Sequence, residues 1–219
     1  MSPREPRMRV RLYHYWRSSS SWRVRWGFAL KVLPCEFVSI DLLTDDSDSP
    51  EHLQRNPLGF VPALEFLTDS PTFRYLCESM AILEWLEETL PHPSLLPGDA
   101  LQRARIRQLA EIINAGTQPL QNPNVALYHS SQKDEQKKWN AHWIRKGLHA
   151  YETLVQETAQ TFSVGNTLTL SDLFLIPQCY NALRHDVHLS EFPRIERIYK
   201  AAMATPSCQA SAPEKFNPN

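Results

Sequence analysis

The residues of this chain best suited to chemistry lie in one stretch, Tyr13 to Arg25, reading YHYWRSSSSWRVR. Four consecutive serines, Ser18 to Ser21, follow Arg17 and precede Arg23 and Arg25. A serine hydroxyl caps a helix by accepting from amide N–H groups that the first turn leaves unpaired. The remaining N–H groups and the positive end of the helix dipole suit an anion at the same place. On these residues alone, a well-capped helix with spare serines and an anion site both remain open. Other reactive residue types form no cluster. Cys35, Cys77, Cys179 and Cys208 are widely spaced with no CxxC pair, and the histidines come with no HExxH or carboxylate group. Neither a metal site nor a disulfide framework is expected, and a reducing, cytoplasmic setting fits.

The elements around that stretch must position it. Val10, Leu12 and Tyr13 read as a strand, and Val24, Phe28 and Leu30–Val32 as one face of a helix from Ser20 to about Leu33. CEFVSIDLL alternates like a second strand, so the unit is β-helix-β with parallel neighbours and a right-handed crossover. LTDDSDSP reads as a polar loop, Asn56-Pro57-Leu58-Gly59 as a turn, and VPALEFL as a third strand. Pro62 opens that strand, where an edge position or a cis peptide tolerates its missing N–H. A fourth strand is expected over Thr72–Leu76 after an Asp69-Ser70-Pro71 turn, and then a helix with Met80, Ile82, Leu83, Leu86 and Leu90 on one stripe.

PHPSLLPGD, from residue 91, marks a linker. Beyond it the pattern is helical: a face of Ile106, Leu109, Ile112 and Ile113, then a helix whose Trp139 and Trp143 are expected in the core. Thr169-Leu170-Ser171-Asp172 reads as a capping box opening a buried helix bent at Pro177. The first eleven residues read as a disordered leader and the last fifteen as an irregular tail. An α/β domain over residues 1–92 and an all-α domain over 93–219 are therefore expected. A length of 219 residues suits two domains, and 42% hydrophobic with 21% charged residues is ordinary for a globular core. A net charge of −1 makes no electrostatic case for nucleic acid, and no apolar run is long enough to span a bilayer.

A βαβ–ββα half followed by an all-helical half is a thioredoxin-like domain joined to a helical bundle. In that order, six motifs resemble the glutathione transferase superfamily, specifically its zeta class, the maleylacetoacetate isomerases. They are WRSSSSWRVR at 16–25, NPLGFVPAL at 56–64, ESMAILEWLEE at 78–88, TQPLQN at 117–122, LTLSDLFLIPQ at 168–178 and NALRHDVHLSEFP at 181–193. The resemblance covers nearly the whole chain and implies the glutathione transferase fold, with glutathione as cofactor.

It also implies a site. The residue before the family's cis-proline, here Val61, pairs with the cysteinyl part of glutathione like a strand edge, so Val61 and Pro62 are expected contacts. Glu78 and Ser79 match the pair that holds the γ-glutamyl end. Ser79 and the helix amides suit its carboxylate, and an acid suits its α-amino group. Gln118 and Asn122 lie in the matching QPLQN segment, and Gln118 is expected to reach the glycyl end or the partner subunit's site. Ser18 and Ser19 match the two serines of a Ser-Ser-Cys pattern, and Ser20 stands where the cysteine usually is. Ser18, Ser19 and Ser20 are thus the expected catalytic turn, with Ser21 also at the cofactor. A hydroxyl donor beside a helix N-terminus lowers a thiol's pKa, and Ser18 is the expected donor. Phe60 departs from the polar residue often found before the Val-Pro pair. Arg17 and Arg184 are the expected cations for substrate carboxylates. Cys35 and Cys77 are expected to be buried apolar groups.

The function implied is glutathione-dependent cis–trans isomerisation of a small maleyl diacid, maleylacetoacetate first, by a homodimer. Sisters that use maleylpyruvate tend to carry arginines just after QPLQN, where this chain has Pro123 and Asn124. They also lack the cysteine, so its loss does not argue against isomerisation. Maleylpyruvate isomerisation, a general conjugating transferase and a non-catalytic glutathione-binding dimer are the alternatives.

Overall fold

β1 (Val10–His14) is buried at four of its five residues, which places it inside a sheet rather than at an edge. A computed structural model describes residues 9–67 and 74–218 of the chain. In it, β2 (Cys35–Ser39), β3 (Ala63–Phe66) and β4 (Tyr75–Cys77) complete a four-stranded sheet of order β2-β1-β3-β4. β1 runs parallel to β2, with Leu12 opposite Phe37, and antiparallel to β3, with Leu12 opposite Leu64. α1 (Ser19–Lys31) makes the crossover between the parallel pair, and α3 (Ser79–Thr89) follows β4. Of the eleven-residue leader expected, residues 1–8 lie outside the described residues, but Val10 and Arg11 belong to β1 because Val10 is buried in the sheet. The expected Asp69–Pro71 turn and the start of the fourth strand also lie outside the described residues.

The polar stretch after β2 is not all loop: it holds a 3-10 turn (Asp45–Asp48) and then α2 (Pro50–Arg55). Ser49 caps α2 by accepting from His52 N, and Pro50 occupies the first turn, where its missing N–H costs nothing.

The chain divides into two compact units: residues up to Pro93 together with Ala210 onward, and Ser94–Gln209. The second contains α4 (Ala100–Asn114), a 3-10 turn (Gln118–Gln121), α5 (Pro123–His129), α6 (Lys133–Val155), α7 (Leu170–Arg184), a 3-10 turn (Leu189–Glu191), α8 (Pro193–Met203) and most of α9 (Pro206–Ser211). α7 is buried at every position from Leu170 to Cys179 and runs through Pro177. Its start is held by the Asp172 carboxylate, which accepts from Thr169 N and Ser163 N, each at 2.9 Å. Trp139 and Trp143 are half-buried rather than core. The buried stripe of α6 is Asn140, Ile144, Gly147, Leu148, Tyr151 and Val155, and the two rings lie beside it.

The tail is not irregular and does not stay with the helical half. α9 is followed by a 3-10 turn (Pro213–Lys215), and this segment packs with the first unit. Two α1 side chains hold it: Trp22 Nε1 donates to Ser211 Oγ and Arg25 Nε to the Ser211 carbonyl, both at 3.1 Å.

Candidate functional site

The serine turn is built by its own hydroxyls. Ser18 has extended backbone, as an N-cap requires, and its Oγ accepts from Ser21 N at 3.2 Å. A hydroxyl has one donor and two acceptor positions, so this bond leaves the Ser18 O–H for a second partner. From the other side, Tyr15 O accepts from Ser18 N at 3.1 Å, and Ser21 Oγ accepts from Tyr15 N at 3.4 Å. Ser19 and Ser20 are half-buried in the first turn of α1. Ser21 is fully buried, which leaves no surface for the cofactor contact expected of it; its hydroxyl braces the turn instead.

The Val61–Pro62 peptide is cis, as the resemblance implied. Val61 packs with Tyr13, Tyr15, Ile40 and Ala63, and Trp16 lies against the same cluster. The backbone leading into the serine turn and the one leading into β3 therefore share one core. The Phe60 ring is exposed, but its carbonyl is fixed by Asn56 Nδ2 at 2.9 Å and His52 Nε2 at 3.1 Å. A carbonyl only accepts, so His52 carries its proton on Nε2, and burial lowers its pKa in keeping with a neutral ring. Sequence reasoning did not find either residue. The signal for Asn56 was present, since its Oδ1 accepts from Leu58 N at 3.1 Å in the turn that Asn-Pro-Leu-Gly announces. For His52 there was none.

Glu78 holds φ +67°, ψ 117°, a conformation rare outside glycine and concentrated at ligand sites. It occupies the N-cap position of α3 with its side chain exposed and making no cap bond. Ser79 is buried, and its Oγ accepts from Arg23 Nη1 at 3.1 Å. Arginine cannot accept a hydrogen bond, so the Ser79 proton is directed to some other acceptor, with the wholly buried Arg23 charge behind it. Arg23 is a further residue that sequence reasoning passed over; its place in WRVR was the only hint. Arg17 is half-buried, with its guanidinium 5.2 Å from the centre of the Trp16 ring.

The second unit holds the remaining expected residues. Gln118 and Asn122 are half-buried at the two ends of the Gln118–Asn122 segment. Gln121 between them is buried and exchanges two amide hydrogen bonds with Gln178 of α7, at 2.6 and 3.2 Å. Asn181 Nδ2 also donates to Gln121 Oε1 at 3.0 Å, and Arg184 Nη1 reaches Asn181 Oδ1 at 3.4 Å. The segment and the exposed Arg184 are thus joined through α7. Thr117 anchors the segment by donating to Ile112 O at 2.7 Å, packed where any Cβ on Gly147 would overlap it.

Among the described residues, no group of three or more His, Cys, Asp or Glu side chains could hold a metal ion, and no helix is long and apolar enough to cross a membrane. Cys35 and Cys77 are half-buried rather than buried, and desolvation pushes their thiols up to about 12 and about 11. Neither is a nucleophile at neutral pH.

Two family models match the chain: the glutathione S-transferase N-terminal domain over residues 12–94 and the C-terminal domain over residues 121–210. The maleylacetoacetate isomerase of Rattus norvegicus is 41% identical over 204 residues, covering 92% of this chain and 91% of that protein. A crystal structure of maleylacetoacetate isomerase from Anaeromyxobacter dehalogenans 2CP-1 with glutathione bound in its active site superposes with a TM-score of 0.88 at 45% identity, covering 96% of this chain and 98% of that one. A second structure of that protein holds dicarboxyethyl glutathione and citrate, with a TM-score of 0.87 at 44% identity, covering 96% and 97%. A maleyl pyruvate isomerase described as a bacterial zeta-class glutathione S-transferase superposes at 0.88 with 32% identity, covering 95% and 99%.

Proposed function

The chain belongs to the glutathione transferase superfamily, in its zeta class, and from that membership we propose that it isomerises maleylacetoacetate to fumarylacetoacetate with glutathione as a recycled cofactor. One observation carries this reading: two serine-bearing helix N-termini, those of α1 and α3, are tied together in one unit by the Arg23–Ser79 hydrogen bond. Glutathione needs its charged γ-glutamyl end pinned and its thiol activated. The start of α3 serves the first need. Ser79 and the first-turn amides take the carboxylate, and the exposed Glu78 takes the α-amino group. The start of α1 serves the second, with the Ser18 hydroxyl and the helix dipole stabilising a thiolate. Val61 supplies backbone to the cysteinyl part.

The thiolate adds to the cis double bond of the diacid, forming a C–S bond while the π electrons move onto the conjugated carbonyl as an enolate. Rotation about the resulting single bond follows. The enolate then expels the thiolate, leaving the trans alkene and unchanged glutathione. Arg184 and Arg17 are the cations for the diacid's carboxylates. The dicarboxyethyl glutathione held by the Anaeromyxobacter relative, a glutathione derivative with two further carboxylates, fits a site of this kind. The greater similarity to maleylacetoacetate isomerases favours that substrate over maleylpyruvate. A homodimer in the cytoplasm completes the proposal, in line with four cysteines free of disulfides.

The test compares maleylacetoacetate, maleylpyruvate and a halogenated nitrobenzene, with glutathione followed separately. Fastest turnover of maleylacetoacetate supports the proposal. Glutathione loss equal to product formed would make the protein a conjugating transferase, and binding without turnover would make it a binding module.

Two variants probe the assignments. Ser79→Ala removes a hydrogen bond to a charged group and should weaken glutathione binding by about 1.5–3 kcal/mol in calorimetry; unchanged affinity removes Ser79 from the site. Arg184→Ala should lower kcat/KM for the diacid by at least roughly tenfold while glutathione affinity holds. An equal drop toward an uncharged electrophile would make Arg184 structural.

A further inference from the structure

WRVR contains a second buried arginine, and nothing in the proposed chemistry uses it. Arg25, on α1, is 1% exposed. Its Nη2 donates to Trp16 O at 2.9 Å and its Nη1 to Tyr15 O at 3.3 Å. These are the two peptides from which the chain turns into Ser18. The Tyr15 carbonyl is the same one that accepts from Ser18 N. The third edge of the guanidinium leaves this turn altogether: Nε donates to Ser211 O at 3.1 Å, and the Phe216 ring lies 4.6 Å from the guanidinium carbon.

The group opposite is neutral. His14 Nδ1 is 3.1 Å from Arg25 Nη1, and an arginine only donates, so this nitrogen accepts and the His14 proton sits on Nε2. Burial, with the Arg25 charge beside it, lowers the His14 pKa to about 4. Burial also lowers that of Arg25, to about 9, against an opposing pull from Glu214. Among the described residues, the Arg25 charge is thus met by backbone carbonyls, an imidazole and a ring face rather than by a contacting carboxylate. A planar fork suits this arrangement, because it addresses three carbonyls in fixed directions, and a lysine cannot.

We propose that Arg25 is a positioning residue for thiol activation: it couples the C-terminal segment Ser211–Phe216 to the peptides of Tyr15 and Trp16 and thereby sets where the Ser18 hydroxyl points. The far end of the chain is then a working part of the serine turn. This rests on the reading of Ser18 as the thiolate's donor. The direction of a single hydroxyl matters because a displacement of about 1 Å at a reacting group costs up to about a hundredfold in rate.

The test uses the full-length protein and three variants, Arg25→Lys, Phe216→Ala and Ser18→Ala. The ultraviolet thiolate band of each glutathione complex is titrated, and kcat, KM and glutathione affinity at acid pH, where the thiol is protonated, are measured alongside. Arg25→Lys keeps the charge but loses the fork. It should raise the thiol pKa by about one unit and lower kcat roughly tenfold, with KM and acid-pH affinity within about twofold of wild type. Phe216→Ala, remote from the turn in sequence, should move the same quantities in the same direction by roughly a third as much on a logarithmic scale. Should Arg25→Lys fail to fold, Phe216→Ala decides alone. A folded variant with lowered thermal stability but wild-type thiol pKa and kcat overturns the proposal, because that is what a merely structural role predicts. Arg25→Lys behaving as wild type while Phe216→Ala does not would also overturn it, since charge rather than direction would then be at work. No thiolate band in the wild type, or no shift in Ser18→Ala, would instead overturn the reading of Ser18 on which it rests.

Discussion

Ser18→Ala should raise the pKa of bound glutathione's thiol by about one to two units, the equivalent of one hydrogen bond to a charged group at about 1.5–3 kcal/mol. At neutral pH, kcat should fall roughly ten- to a hundredfold with the thiolate fraction. The sign gives the loss a pH signature. The variant's thiol is the weaker acid, so its deficit is largest below the wild-type thiol pKa and closes as pH rises past its own. Stability should also drop by about 1 kcal/mol, because Ser18 Oγ caps α1 by accepting from Ser21 N. Ser20→Ala should matter less, since a helix N-terminal amide can face the sulfur without that side chain. Titration of the thiolate band in both variants compares them directly. A larger shift from Ser20→Ala would move the activation to the position where the family's cysteine usually stands.

The largest expected loss of stability comes from Asp172. Its carboxylate is fully buried and accepts from Ser163 N, Thr169 N and, at 3.0 Å, Thr169 Oγ1. Asp172→Ala removes all three bonds and strands two buried amides, at a cost of about 3–5 kcal/mol, a large fraction of the about 5–15 kcal/mol that holds a typical domain. Asp172→Asn keeps one acceptor oxygen and should lose about half as much. Denaturant unfolding followed by tryptophan fluorescence reads both, and a loss under about 1 kcal/mol for Asp172→Ala would contradict the role given to the box. Because α7 also carries Gln178, Asn181 and Arg184, the folded fraction of the variant should handle the diacid poorly before it loses glutathione.

What was legible in the sequence is what neighbouring residues decide among themselves. The serine cap, the Thr169–Asp172 box and the Val-Pro turn are each written within a few residues; the box and the turn stand where they were expected, and the cap falls at Ser18, one residue earlier than a helix from Ser20 implies. The start of α2 was written locally too, as Ser49-Pro50, but the acidic run before it read as loop. The rest was not legible because a buried arginine looks like a surface arginine until its partner is known. Arg23 meets Ser79 56 residues away, and Arg25 meets Ser211 186 residues away. Nothing adjacent to Glu65 in the sequence marks it as buried, yet it is 2% exposed and held by Tyr13, Arg11 and Arg74. Phe60 drew notice for its side chain, whereas the structure uses its carbonyl.

The central claim is that glutathione is returned at every turnover, and a reaction run with far too little of it tests this most directly. With maleylacetoacetate at about a hundredfold excess over glutathione, proton NMR can follow the alkene geometry and the glutathione resonances in one tube. A catalytic role predicts complete conversion to the trans isomer with the glutathione signals intact at the end. Conversion that halts once product equals the glutathione supplied, with the thiol consumed, would contradict the account.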